Sequence, residues 1–230
     1  MKNRNVKVAA IVLAASMVGA GVHAAAAQTR EAKTVSEAAV VLSEIMAAPD
    51  KAIPESIVDK VEAIAVFPGL IRAGFVIGGQ RGRGIISVRD RSTNTWSAPA
   101  FLTITGGSFG AQLGGQSIDL ILVIINKSGV ENLLKNQFKI GGEASAAAGP
   151  VGRAAEASTD VLMRAQILSY SRSRGLFAGI AVNGSSVRSD GDANEHLYGT
   201  RLTSRQIALE RRGGSPAAIG DWRAALKKYF

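Results

Sequence analysis

The 230-residue chain has no cysteine, two histidines, six prolines and only 5% aromatic residues. Without thiols there are no disulfide staples, no thiolate metal site and no cysteine nucleophile, so packing and hydrogen bonds carry stability alone. His23 sits in the N-terminal segment, which leaves His196 as the single imidazole for any chemistry in the rest of the chain. No repeat of fixed period and no long linker divides the sequence, so it reads as one domain. The glycine-rich run Gly78-Gly79-Gln80-Arg81-Gly82-Arg83-Gly84 lacks both the Gly-Lys-Ser/Thr ending of a phosphate loop and a Gly-x-Gly-x-x-Gly pattern ahead of a helix. That argues against a nucleotide site.

What is present begins at the N-terminus. Lys2, Arg4 and Lys7 precede an apolar run from Val8 to Val22 that ends in small residues. This order predicts a secretory signal peptide over residues 1–24, cleaved after Ala24, and a periplasmic protein, peripherally membrane-associated or free. Residues 25–33 read as a flexible leader and 34–230 as the domain. The formal charge of +9 falls to +6 once Lys2, Arg4 and Lys7 are removed. In an exported protein that charge favours anionic lipid or polysaccharide over nucleic acid.

The 26 glycines cluster with Val, Ile, Leu and Phe, a pattern of twisted or bulged strands with close turns. Val35, Ala38, Ala39, Leu42, Ile45 and Met46 recur at helical spacing over 34–46, and a short helix follows Pro54. Val61–Phe67 predicts a strand closed by Pro68-Gly69. Residues 74–79 and 85–89 predict a hairpin with its turn at 80–84. Asp119–Ile125 is apolar enough for a buried central strand, with a helix capped by Ser128 after it. Ile167–Tyr170 and Leu176–Val182 read as late strands, and Ile219, Trp222 and Leu226 mark a C-terminal helix. The fold class expected is α+β, a strongly bent antiparallel or barrel-like β core with flanking helices.

Catalysis finds little support. Gly106-Gly107-Ser108-Phe109-Gly110 matches Gly-x-Ser-x-Gly, and Asp160 and His196 follow in triad order, yet the next residues are poor helix formers. Serine hydrolysis is therefore a distant third reading. Asp190-Gly191-Asp192-Ala193-Asn194-Glu195 reads as a solvated acidic turn and lacks calcium-loop spacing. No metal or cofactor site is expected. Arg72, Arg81, Arg83, Arg89, Arg91 and Lys127 remain as sources of positive potential beside apolar residues.

A family resemblance completes the reading. Phe67-Pro68-Gly69, Arg72-Ala73-Gly74-Phe75, Gly78-Gly79 and Gly82-Arg83-Gly84 resemble the opening block of the SYLF lipid-binding domain, also called the Ysc84 actin-binding domain. Trp96–Phe101, Ser108 with Gly110 and Gln112, Asp119, Gly149–Arg153, Thr159-Asp160, Tyr170–Gly179 and Asn194 with Tyr198-Gly199 follow in the same order. The resemblance covers roughly 34–200 and implies a non-enzymatic lipid-binding domain, here an exported bacterial-type member. It implies an anionic phospholipid of the envelope surface as partner, with Arg72, Arg81, Arg83, Arg153 and Arg174 at motif positions as contacts, to which the residue-level reading adds Lys127. Actin is an unlikely partner on this reading. The alternative is an envelope scaffold or protein-interaction module without specific lipid recognition. Gly74, Gly78, Gly79, Trp96, Gly110, Asp119, Asp160 and Gly179 are assigned to structure, and Arg153 and Arg174 either to ligand or to pairs with Asp119 or Asp160.

Overall fold

The computed structural model describes residues 30–48, 53–74, 77–109, 114–151, 165–173 and 175–230. The expected signal peptide and positions Gly110, Arg153, Asp160 and Arg174 lie outside the described residues. Helix α1 covers 30–47, and Val35, Ala38, Ala39, Leu42 and Ile45 are all buried along it. The helical spacing was legible at sequence level, but the helix starts earlier, taking in residues 30–33. The added turn carries Glu31, which is buried against the sheet and pairs there with Arg83.

A short α2, Glu55–Val58, leads into ten strands: β1 Ala63–Gly74, β2 Ile77–Asp90, β3 Thr95–Trp96, β4 Ala100–Phe109, β5 Gly114–Ile124, β6 Gln137–Lys139, β7 Ala146–Ala148, β8 Ile167–Ser173, β9 Leu176–Gly179 and β10 Ser186–Ser189. Their order in the sheet is β6-β10-β4-β2-β1-β5-β8-β7, with β3 on β2 and β9 on β8. The β7–β8 pair is parallel, and every other pairing of named strands is antiparallel.

Chain connectivity forces this sheet to curl. In a flat sheet, seven steps of about 4.8 Å would hold β6 and β7 about 34 Å apart. Residues 140–145 join those two strands, and seven Cα steps reach about 25 Å at full extension. The connection is far from extended. Gly141 (φ +86°) donates its N–H to the Ala144 carbonyl at 3.0 Å, closing a turn. The two outer strands must therefore approach each other, and the sheet is a half-barrel.

Ala63–Phe67 and Leu120–Ile124 are buried on both faces, so the center of the core lies on adjacent β1 and β5. The expected end of the first strand at Pro68-Gly69 is instead a bulge that β1 runs through. Pairing passes from Phe67↔Leu120 to Leu70↔Ile118, which leaves two residues opposite Asp119. Gly69 takes φ +60°, and its N–H donates to the Asp119 carboxylate at 2.9 Å.

The expected turn at 80–84 is corrected too: those residues are interior to β2. Their glycines make room for the bulge. A Cβ on Gly82 would lie 2.7 Å from the Leu70 side chain, and one on Gly84 would lie 2.2 Å from the Val66 carbonyl oxygen.

The helices close the flanks. Asn126, rather than Ser128, caps α3 (Lys127–Leu133) by accepting the Gly129 N–H at 2.8 Å. The supposed acidic turn is α4 (Gly191–Tyr198). Asp190 accepts the Ala193 N–H at its start, and Gly199 ends it with φ +70°. Thr203 and Gln206 form a capping box on α5 (Ser204–Ala208).

The C-terminal helix α6 (Gly220–Tyr229) buries Trp222, Ala225 and Leu226 as its spacing predicts. Trp222 Nε1 donates to the Ser87 hydroxyl at 2.8 Å, and both residues are fully buried. Trp222→Phe keeps most of the packing but orphans that hydroxyl, so a loss of about 1–2 kcal/mol is expected in urea unfolding. No loss would show that this bond contributes nothing net.

Candidate functional site

Cross-strand partners share a face, and so do residues two apart along one strand. Thr105, Arg81, Ile71 and Ser117 are register partners across β4-β2-β1-β5. Gly107, Gly79, Ala73 and Gly115 form the row two residues farther out on the same face. All eight positions are exposed. Ile71 is 61% exposed, a large apolar side chain among positions that, Arg81 apart, are small. The glycines of the outer row are not demanded by internal packing. A Cβ on Gly115 meets nothing within 4 Å, and those on Gly79 and Gly107 approach only a backbone oxygen at 4.0 Å. Arg81 stands on this face with no ion-pair partner among the described residues.

One row inward, the same face carries Arg83, and there α1 covers it. Arg83 donates from Nε to Asp190 at 2.8 Å and from a terminal nitrogen to Glu31 at 2.9 Å. Thr103 Oγ1 donates to the same Asp190 oxygen at 3.1 Å. The other end of α1 is tied through Glu44 to Arg172 on β8 at 2.5 Å, and Arg172 also reaches Asp119 at 3.3 Å. Two α1 carboxylates thus clamp the helix across β2, β1, β5 and β8. Arg172 plays the part left open between Arg153 and Arg174. Sequence reasoning passed it over because only the β5–β8 register, Asp119↔Arg172, brings the two together.

Arg72 points to the opposite face. Its Nε donates to Gln80 Oε1 at 2.9 Å, and Gln80 Nε2 donates to Ser185 at 2.6 Å. Burial lowers the Arg72 pKa below the ordinary guanidinium value. Lys127 lies at the far end of β2, beside a cavity of about 360 Å³ with Arg89 and Arg91. Of the six cations expected to act together, the four that are described are distributed. Arg81 is exposed, Arg83 is held in an internal ion-pair cluster, Arg72 is on the other face and Lys127 is remote. Arg153 and Arg174 lie outside the described residues.

The remaining motif residues serve the fold. Asn194 is buried, accepts the Phe101 N–H at 2.8 Å and donates to the Leu202 carbonyl at 3.2 Å. Tyr198 donates to the Pro99 carbonyl at 2.6 Å, and burial raises the phenol pKa of both Tyr198 and Tyr170. Trp96 packs edge-on to Phe230 with ring centroids 5.7 Å apart. A Cβ on Gly179 would fall 2.2 Å from the Gly149 carbonyl oxygen, so β9 passes that close to the chain before it. Ser108 lies in β4 opposite Gly78, inside a strand and not at a strand-to-helix elbow. Among the described residues no three His, Asp or Glu side chains gather as a metal site.

A family described as Las17-binding protein actin regulator, Ysc84, matches residues 105–229. Protein YSC84 of Saccharomyces cerevisiae is 31% identical over 194 residues, covering 83% of this chain and 41% of its own length. LAS seventeen-binding protein 3 of the same species is 30% identical, over 79% of this chain and 40% of its own. SH3 domain-containing YSC84-like protein 1 of Xenopus laevis is 34% identical, over 66% of this chain and 45% of its own. The chain thus spans less than half the length of these relatives.

These matches overturn several expectations. The relatives come from yeasts and vertebrates, whose cells have no periplasm, so the exported bacterial-type subgroup, the periplasmic location and the envelope phospholipid partner are withdrawn. The expectation that actin is an unlikely partner fails as well, because the family is itself described as an actin regulator. The expectation of a non-catalytic binding module agrees with the family. With that match over its C-terminal half and these relatives over most of its length, the chain belongs to the Ysc84 family.

Proposed function

We propose that this chain is a protein-interaction module of actin-regulatory assemblies, and that it engages its partner through the exposed β4-β2-β1-β5 face. The observation that carries this reading is Ile71, 61% exposed on a face whose other positions, Arg81 apart, are small. Side-chain-free strands let another surface approach the backbone closely, and one apolar anchor beside one cation suits the center of a protein interface. Of the six cations expected to bind an anion, Arg81 is the one proposed to meet a partner here. Residues 30–230 act as one unit in this reading, with α1 bracing the inner edge of the face.

The test is co-sedimentation of the 230-residue chain with filamentous actin. Ile71→Asp is expected to weaken pelleting about tenfold, the loss of one hot-spot contact. Its far-ultraviolet dichroism should be unchanged, because the side chain is largely exposed. Equal pelleting of wild type and variant would reject this face, and no pelleting of either would reject actin as the direct partner.

A further inference from the structure

At the opposite end of β2, about 26 Å from Arg81 at 3.3 Å per residue, lies the cavity of about 360 Å³ noted above. It forms where Val88–Asp90 of β2, the start of α3 and the segment after α5 meet. Val88, Val130, Ala208 and Leu209 supply apolar lining. The charged lining is Arg89, Arg91, Lys127 and Arg211 against Glu62, Asp90 and Glu131.

Pairing decides what this charge can do. Arg91 is committed to Glu62 at 2.6 Å and to the Asp59 carbonyl at 2.9 Å. Arg211 is 3.8 Å from Asp90, and Glu131 is taken by Arg205 at 2.5 Å. The Ser92 hydroxyl and N–H donate to Asp90, which holds its carboxyl below the ordinary range and keeps it charged. Every carboxylate at the cavity thus has its cation. Two cations have no carboxylate among the described residues. Arg89 is steered by a neutral acceptor, Asn94 Oδ1, at 2.7 and 3.1 Å, and Lys127 is exposed and unpaired.

We propose that this cavity binds a monoanionic carboxylate with an apolar body, Arg89 and Lys127 taking the oxyanion and Val130 and Leu209 the apolar part. The volume suits a ligand of small-acid or single-side-chain size. The three carboxylates on the lining disfavor a multiply charged ligand, whose further charges would face them at short range. This inference is independent of the face proposed for actin-regulatory partners, since it uses neither Ile71 nor Arg81.

The experiment is a nitrogen-15 amide titration of the full chain with two probes, 4-methylpentanoate and the peptide acetyl-Leu-Glu-Leu-amide. Shifts are expected at 88–92, 127–131 and 208–211. Binding should weaken about tenfold in Lys127→Met and in Arg89→Gln, the loss of one charge-assisted contact. Binding of the free acid alone assigns the site to small acids, and binding of the peptide alone assigns it to an acidic side chain of a partner. Either outcome supports the carboxylate site. It is overturned by no shifts with either probe at about 10 mM, the weak limit for so small a ligand. Undiminished affinity in both variants, equal binding of acetyl-Leu-Gln-Leu-amide, or tighter binding of inositol hexakisphosphate would also overturn it. Ile71→Asp should leave the titration unchanged, so this site and the actin-facing reading fail separately.

Discussion

Gly84→Ala is expected to destabilise the chain by about 3 kcal/mol or more, the upper range for overpacking a core. A Cβ there would lie 2.2 Å from the Val66 carbonyl oxygen and 2.6 Å from a Phe67 ring carbon. Neither neighbor can give way cheaply. Val66 is paired on both sides, with Ile85 and with Ile121, and Phe67 is fully buried beside the bulge. For a chain of this size the loss corresponds to a fall in Tm of roughly 6–12 °C. Gly115→Ala is the matched control, since its Cβ meets nothing within 4 Å and a change within about 0.5 kcal/mol is expected. Thermal melts of the two variants side by side decide the matter. A Gly84→Ala protein melting with wild type would mean that β1 and β2 separate more easily than the bulge geometry implies.

The second large effect belongs to Arg83. Arg83→Met is expected to cost about 3–5 kcal/mol, because it strands carboxylates that have left water. The Glu31 side chain is only 2% exposed and that of Asp190 12%, and one Glu31 oxygen already lacks a hydrogen-bond partner among the described residues. Hydrogen exchange should show the loss first over 30–47, since α1 depends on this contact at its N-terminal end. Glu31→Gln in the Arg83→Met background should restore part of the stability, with a coupling of about 1–3 kcal/mol in the double-mutant cycle. Arg81→Met, two residues away and unpaired, should stay within about 0.5 kcal/mol of wild type. Equal stability of the Arg81 and Arg83 variants would refute the clamp. The paired result bears on function as well. A double substitution at 81 and 83 would confound a lost surface contact with a detached helix, so interface tests belong on Ile71 and Arg81.

Periodicity made the packed elements legible. The apolar positions of α1 and of the C-terminal helix, and the buried run of β5, lie where helical spacing and an unbroken Val/Ile/Leu stretch place them. Such patterns survive because burying one stripe or one strand is a local property of the chain. The glycine run 78–84 misleads for the same reason. From sequence, glycines beside arginines look like a turn. In the fold, Gly82 and Gly84 lie mid-strand because β1 carries an extra residue opposite them, and that extra residue is visible only in the pairing. Likewise Asp190–Glu195 has the composition of a solvated acidic turn, yet Asp190 caps α4 and accepts from Arg83 across the sheet.

The sequence by itself determined the α+β class, the buried faces of the first and last helices, the central strand and the family motifs, because each depends on residues near one another in the chain. Tertiary structure alone decided which cations are free. Arg81 and Arg83 have the same chemistry and nearly the same position, yet one faces solvent and the other is enclosed by carboxylates from residues 31 and 190. An ion pair is settled by distance in space, and strand register, the β1 bulge and the path of α1 set those distances.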